Sequence, residues 1–469
     1  MSPPAVPAAL HPLVAAFLDD RVAVRAALRR FGSPLHLVFP QVFADNLTAL
    51  RTVLDGVPGG YRICYAHKVN RSAALAATAA HAGIGIDVAS AQELRSALTA
   101  GFGSDRIEVT GPKGAALLRA ALAAGVTINV DNLWELSTIA EMAETTVPVL
   151  LRLSGFAASA PSRFGIDHTE VERAFELLTR HRDRLRLLGV AFHLDTAATQ
   201  ERVAAVGDCL TVLERAYAHG LTPTVLDIGG GLRQVFTADA AAYDAYDQAL
   251  RVGLLGRGPA VHWGLNSFGY QVTDGTVHGR AVFHKYANTE SAPTMLGELL
   301  AAPLPGHGGR TVSAVLADNL LQLWLEPGKA LVDHAGITVT QVEFVKQVGS
   351  GTTLVHLNAS RDTVTAADQE VLIDPLVLSE PGESSPTGVY FAGHLCLERD
   401  LLTQRQVRVD RLPDPGDPVV FANTGAYHMD LSAAQASMHP LPARVAVRHR
   451  AGRFVLYPDT VYRPGDEVR

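Results

Sequence analysis

The sequence predicts a parallel (β/α)8 barrel followed by an antiparallel β-domain, and three observations predict it. Between Tyr61 and Lys329, short apolar runs alternate eight times with alanine- and leucine-rich segments of helical character. After Leu331 the pattern turns to β-branched alternation punctuated by Gly/Pro turns. With 469 residues and 48% hydrophobic content, the chain is long enough to bury more than one core.

The eight runs are Arg62–Lys68, Ile84–Ser90, Ile107–Gly111, Thr127–Asn132, Val149–Ser154, Val190–Thr196, Val225–Gly231 and Leu323–Gly328. Helical candidates between them include Ser72–Ala82, Gln92–Ala100, Ala115–Ala124, Thr169–His181 and Gln200–His219. Eight alternations fit a closed barrel better than a six-stranded open sheet. Residues 1–39 form an N-terminal segment able to pack with the β-domain, 40–330 the barrel, and 331–469 the β-domain. Its strand candidates are Ile337–Gln347, Thr353–Leu357, Gly388–Cys396, Pro418–Asn423 and Arg444–His449. The stretch from Gly231 to Glu326, about 95 residues, exceeds a loop plus one helix. An insertion is therefore expected around 255–320, with the aromatic, polar segment His262–Tyr286 read either as a lid or as a surface elaboration.

Formal charge is 40 − 47, or −7, so no basic surplus points to nucleic acid or an anionic membrane as partner. No apolar run reaches the roughly 18 residues of a membrane span, and the N-terminus lacks a basic leader. The three cysteines, Cys64, Cys209 and Cys396, are too few to staple the chain and lack zinc spacing. A cytoplasmic protein without a structural metal is expected, with Cys64 and Cys209 as packing residues.

Candidate chemistry gathers at the ends of the apolar runs, where barrel enzymes collect their reactive groups. Lys68 ends the first run; partly desolvated, a lysine there can form a Schiff base with a carbonyl, although an ordinary surface-directed strand-end lysine is the simpler reading of this position taken alone. His193-Leu194-Asp195-Thr196 offers an imidazole to stack on a flat ring and a hydroxyl to reach a phosphate. Asp227-Ile228-Gly229-Gly230-Gly231 permits close backbone approach to an anion, or is a tight turn. Glu326-Pro327-Gly328-Lys329 brings a carboxylate able to keep a pyridinium protonated and a cation for phosphate or carboxylate.

Taken in order, these segments resemble the fold-type-III, alanine-racemase-like pyridoxal-phosphate decarboxylases that act on diaminopimelate, ornithine, lysine or arginine. The resemblance runs from about Phe31 to about Leu441. It includes Phe31-Gly32-Ser33-Pro34-Leu35, Tyr65-Ala66-His67-Lys68-Val69-Asn70, Asp87 through Leu94, Ser162-Arg163-Phe164-Gly165, Cys396-Leu397-Glu398-Arg399-Asp400 and Gly425-Ala426-Tyr427. It implies pyridoxal 5'-phosphate as cofactor, linked to Lys68, with His193 against the ring and Glu326 at the pyridine nitrogen. Thr196, Gly229, Gly230, Gly231 and Tyr427 would bind phosphate. Cys396 would reach the site from a partner subunit and, like Lys68, return a proton to the α-carbon. Asp87 and Arg152 would support the site, and Arg163 and Asp400 would pair across the interface of a homodimer.

Three departures bear on the substrate. Leu397 stands where the family usually has an acid that pairs with a distal substrate ammonium, and Glu398 follows one residue later. Lys329 replaces the usual arginine, keeping charge but not the planar fork. No clear counterpart of an Arg-Pro substrate segment is present, Arg361-Asp362 lying roughly there. These changes favour an amino-acid decarboxylase of specialised metabolism with a non-standard substrate. Racemisation or other α-carbon chemistry, and non-catalytic cofactor binding, are the competing readings.

Overall fold

The computed structural model describes residues 2–465 except 157–161, 197, 238, 265, 283–287, 350, 365–371 and 433. Two compact units emerge. One comprises Ala44–Arg233, Ala292–Leu331 and the Arg463–Arg469 tail; the other comprises Met1–Phe43, Gln234–Ser291 and Val332–Tyr462.

The first unit is a closed parallel barrel. Its strands are Tyr61–Ala66, Gly85–Val88, Ile107–Val109, Thr127–Val130, Val147–Ser154, Leu185–Ala191, Val225–Asp227 and Gln322–Leu325. Each pairs with the next in parallel, and the eighth returns to the first through Leu323↔Tyr61, Trp324↔Arg62 and Leu325↔Ile63. All eight predicted runs are strands. Most observed strands stop earlier, because the polar residues closing each run turn the chain over the rim.

Three of the intervening helices start on side-chain caps that satisfy otherwise orphaned amides. Ser72 Oγ accepts from Leu75 N, Ser90 Oγ from Glu93 N, and Asn132 Oδ1 from Glu135 N. Helix Val171–Arg180 shows why these segments dock: Val171, Ala174, Phe175 and Leu178 recur every three to four residues and are all buried. Full burial of Phe175 or Leu178 contributes about 1.5–3 kcal/mol each. The tightest approach in the wall is at Gly189, where a Cβ would sit 1.8 Å from Val225 O; any side chain there would push the neighbouring strand away.

In the second unit the sheet order is Val407–Val409, Thr387–Ala392, Thr352–Leu357, Gly336–Val348, Leu35–Val38, Ala443–Arg450, Arg453–Pro458, with Pro418–Phe421 also pairing Gly336–Val348. Most pairs are antiparallel, as the turn-rich pattern predicts. Two are parallel: Leu35–Val38 with Ala443–Arg450, and Thr352–Leu357 with Thr387–Ala392. The first of these pairs strands more than 400 residues apart, so it is reached through a long connection and not a hairpin. The core is built from alternate residues such as Val355, Leu357, Val389, Phe391, Val419 and Phe421.

The chain leaves the barrel unit at Gln234 and returns at Ala292, which differs from the reading of an insertion at 255–320. The reason is packing. Helix Ala240–Leu254 turns Tyr243, Tyr246 and Leu250 onto Val6, Val261, Tyr270 and Leu372, and Tyr246 Oη donates to Gln406 O at 2.6 Å. Helices Ala292–Ala301 and Val312–Asp318, by contrast, belong to the barrel unit. The short hairpin Gln271–Thr273/Thr276–His278 falls inside His262–Tyr286; Leu265 and residues 283–286 of that segment lie outside the described residues.

Candidate active site

The first barrel strand ends at Ala66 and passes into a 3-10 turn, His67–Val69, that presents Lys68. Its Nζ donates to Asp87 Oδ2 at 3.3 Å. Asp87, on the second strand, is fully buried. Burial pushes its carboxyl up to about 7 against the opposing pull of Lys68, with Glu326 adding to the rise. Near neutral pH this carboxyl can therefore meet Lys68 either as an anion or as a neutral acid.

His193 follows the sixth strand. Its Nδ1 accepts the Gly230 N–H at 3.2 Å, which requires a lone pair on that nitrogen. Burial, reinforced by Lys68, Arg152 and Arg202, drives the imidazole down to about 3. The ring is thus neutral at physiological pH. A folded value below the ordinary 6.5 means that the unfolded chain takes up a proton the native chain refuses, so this residue costs stability progressively as pH falls from 6.5 towards 3. His193→Phe is expected to keep a flat ring and flatten that part of the pH–stability curve; denaturant unfolding of both proteins across the window checks it.

The seventh strand ends in the glycine run. Gly229 and Gly231 have φ of +64° and +71°, and Gly229 N donates to Asp227 Oδ1 at 2.7 Å. A Cβ would lie 2.4 Å from Phe192 O at Gly229, 2.5 Å from Glu326 O at Gly230 and 2.1 Å from Leu194 O at Gly231. Only glycine allows the sixth, seventh and eighth strand ends to converge here. Arg202, fully buried in helix Thr199–Ala218, ties them from behind: Nη2 donates to Leu194 O at 2.5 Å and Gly230 O at 2.7 Å. Burial lowers this guanidinium to about 10, which leaves it charged. Gly231→Ala is expected to destabilise the fold by about 1–3 kcal/mol and to weaken cofactor binding about tenfold or more, measured by denaturant unfolding and spectrophotometric titration.

Glu326, on the eighth strand's exit, is 5% exposed, and its Oε1 accepts from Asn129 Nδ2 at 3.1 Å. Asn129 is in turn fixed by Lys113, whose Nζ donates to Asn129 O at 2.7 Å and pairs with Glu135 at 2.9 Å in full burial. Lys329 is engaged by Asp195 at 2.6 Å. Thr196 Oγ1 accepts from Ala198 N at 3.0 Å and so shapes the entry to the Arg202 helix. Arg152 lies 3.7 Å from Asp131 and 4.6 Å from the Phe164 ring centroid; exposed Arg163 lies 4.1 Å from the same centroid.

Lys68, Asp87, His193, the glycine run and Glu326 are therefore brought together at one end of the barrel. Cys396, Glu398, Asp400 and Tyr427 belong to the other unit. Cys396 is an exposed free thiol, flanked by Leu397 at 52% exposure and by exposed Glu398. Asp400 is buried and accepts Arg361 N at 2.8 Å and Leu395 N at 2.7 Å, so its carboxylate shapes the Cys396 turn. Tyr427 adopts φ of +67°, and its carbonyl accepts from Asp430 N and Leu431 N. Cys64 and Cys209 are buried, with thiols pushed up by burial.

Sequence reading missed Arg202, Asn129, Lys113 and Glu108. A signal existed for two of them: Ile107-Glu108-Val109 and Ile128-Asn129-Val130 each place one polar side chain in an apolar strand, a pattern that points it inward. Among the described residues, no helix is long and apolar enough to cross a membrane.

An amine beside a buried acid, a neutral imidazole, a side-chain-free glycine cradle and a second buried acid suit one kind of group: a flat, anionic ring carrying an aldehyde and a basic nitrogen. The glycine run fits as the close-packed turn that lets these groups converge, since a Cβ at any of the three would meet a backbone carbonyl of a neighbouring strand end. The site and barrel define a Schiff-base enzyme of the alanine-racemase fold. Residues 45–254 match the family described as pyridoxal-dependent decarboxylase, pyridoxal binding domain. The chain is 34% identical over 444 residues to uncharacterized protein y4yA of Sinorhizobium fredii, covering 92% of each. It is 23% identical to the diaminopimelate decarboxylase of Methanothermobacter thermautotrophicus, covering 89% of this chain and 87% of that one. The diaminopimelate decarboxylase of M. jannaschii, solved with L-lysine, shares the fold with a TM-score of 0.69 at 18% identity, covering 92% and 91%. The chain belongs to the fold-type-III pyridoxal-phosphate-dependent decarboxylases, a family of carboxy-lyases, and its cofactor is pyridoxal 5'-phosphate.

Proposed function

We propose that the protein decarboxylates an α-amino acid whose far end is not an ammonium group, as a cytoplasmic homodimer in specialised metabolism. The observation that carries the reaction is the Lys68–Asp87 pair gathered with Glu326 and the glycine cradle at one barrel end. When bound, pyridoxal phosphate supplies an aldehyde for the substrate amine and a protonated ring that accepts the electron pair left by carbon dioxide.

The chain's own residues do the rest. Lys68 would hold the cofactor's aldehyde and, as a free amine, would be able to move a proton to the α-carbon. Glu326 holds the proton on the ring nitrogen. His193, neutral, packs against the ring without adding charge. The glycine run and Thr196 would line the phosphate end, with Arg202 fixing the loops. Asp87 tunes Lys68; Arg152 would supply positive charge towards the substrate end, where Lys329 is held by its pair with Asp195. Cys396 serves as a second acid from across the dimer interface, which Arg163 and Asp400 help to hold.

Substrate choice rests on Leu397, an exposed apolar residue in the place of the family's acid. Without that carboxylate a distal ammonium has no charged partner there, and Glu398 is offset by one residue. Assayed against a panel of amino acids, the enzyme is expected to favour apolar or neutral polar side chains over lysine, ornithine and diaminopimelate by at least about tenfold in kcat/KM. The reverse preference would defeat this reading.

A further inference from the structure

The barrel interior carries more acid than cation. Asp87, Glu108, Asp227 and Glu326 come from four different strands or their exits, and each is 5% exposed or less. One carboxyl oxygen from each of Glu108, Asp227 and Glu326 lies within 4.8 Å of the other two. The groups facing them are Lys68, which pairs with Asp87; Arg62, whose guanidinium lies 4.4 Å from the Trp324 ring centroid and donates to Asp105 O; and the buried Cys64 thiol. Three carboxylates this close, with buried Asp87 nearby, cannot all be ionised in a dry interior against two cations.

Hydrogen bonds decide which of them keeps a proton. Asp227 receives Gly229 N–H on one oxygen, which opposes the upward push that burial and Glu326 give its carboxyl, and Glu326 receives the Asn129 amide. Glu108 is fully buried, and neither of its oxygens has a hydrogen-bond partner among the described residues. We propose that Glu108 is a positioning residue: held as a neutral acid within the barrel, it turns its single proton toward the Asp227–Glu326 pair, whose nearest oxygens lie within 4.8 Å, and leaves the negative charge on Glu326. This rests on the reading that Glu326 serves the cofactor's ring nitrogen. Burial, together with Asp227, Glu326 and Asp87, pushes the Glu108 carboxyl well above its ordinary range against Arg62, in the same sense as the geometry. Neutral carboxylic acids are used as buried donors in other enzymes.

The test is infrared spectroscopy of the holoenzyme carrying glutamate labelled with 13C at the side-chain carboxyl. At neutral pH a labelled protonated-acid band is expected in the wild type and in Glu326→Gln, and is expected to vanish in Glu108→Gln. Kinetically, Glu108→Gln keeps a donor and should hold kcat within about threefold, whereas Glu108→Leu should move the acid limb of kcat upward by about one pH unit with KM unchanged. Should Glu108→Gln not fold, Glu108→Asp serves, since it removes the labelled group while keeping an acid. No loss of the band, or Mg2+ or Mn2+ raising the Tm of the wild type but not of Glu108→Gln, would overturn the proposal, the latter in favour of a cation. If the band behaves as expected but Glu326→Gln turns over normally, the role of Glu326 fails and the placement of the proton stands.

Discussion

Lys68→Ala is expected to abolish the absorbance band of the bound cofactor at about 420 nm and to lower decarboxylation by about 10³-fold or more. The fold should survive. Removing the amine leaves Asp87 buried without its cation, and an unpaired buried charge would ordinarily cost several kcal/mol. Asp87 avoids that cost because its carboxyl already sits at about 7 and takes up a proton once the opposing pull of Lys68 is gone. Lys68→Arg separates the two roles. It keeps a cation beside Asp87 but offers no amine that can form a Schiff base, so it should match the alanine variant in activity and the wild type in stability.

Glu326→Gln carries the second largest effect. The glutamine can still accept from Asn129 Nδ2, which the structure places at 3.1 Å from the native carboxylate, so the site's geometry is retained. On the proposed role of Glu326, what disappears is the negative charge that would keep the ring nitrogen protonated. Loss of one such preorganised electrostatic group typically costs about 10²–10³ in kcat. Cofactor should remain bound, with its absorbance displaced, and KM should move little because the group acts on the electrons released in the reaction and not on substrate binding.

The barrel was legible because a parallel strand covered on both faces reads as a continuous apolar run. All eight strands follow from that rule, while helical periodicity marks Ala115–Ala124 and Gln200–His219, the latter observed as Thr199–Ala218. The strand Leu35–Val38 was harder to read. It precedes the barrel in sequence yet pairs with Ala443–Arg450, a partner that no local pattern announces. The same holds for Gln234–Ser291, whose helix is amphipathic in the ordinary way and gains its place from contacts such as Tyr246 with Gln406.

Within the site, Lys68, the glycine run and Glu326 were readable because each ends a run, where barrel chemistry collects. Arg202 was not, since it lies inside a helix and acts through three backbone carbonyls of distant loops. Glu108 and Asn129 sit between these cases: their strands mark them as inward-facing, but only the closed barrel shows that they meet Glu326.

The most direct measurement is to load the purified protein with pyridoxal phosphate, incubate it with the amino-acid panel, and follow carbon dioxide, amine and enantiomer ratio together. Carbon dioxide and a matching amine in equal amounts, both lost in Lys68→Ala, is the predicted result. A racemised product with no carbon dioxide released, or full activity in a colourless protein, would contradict the account.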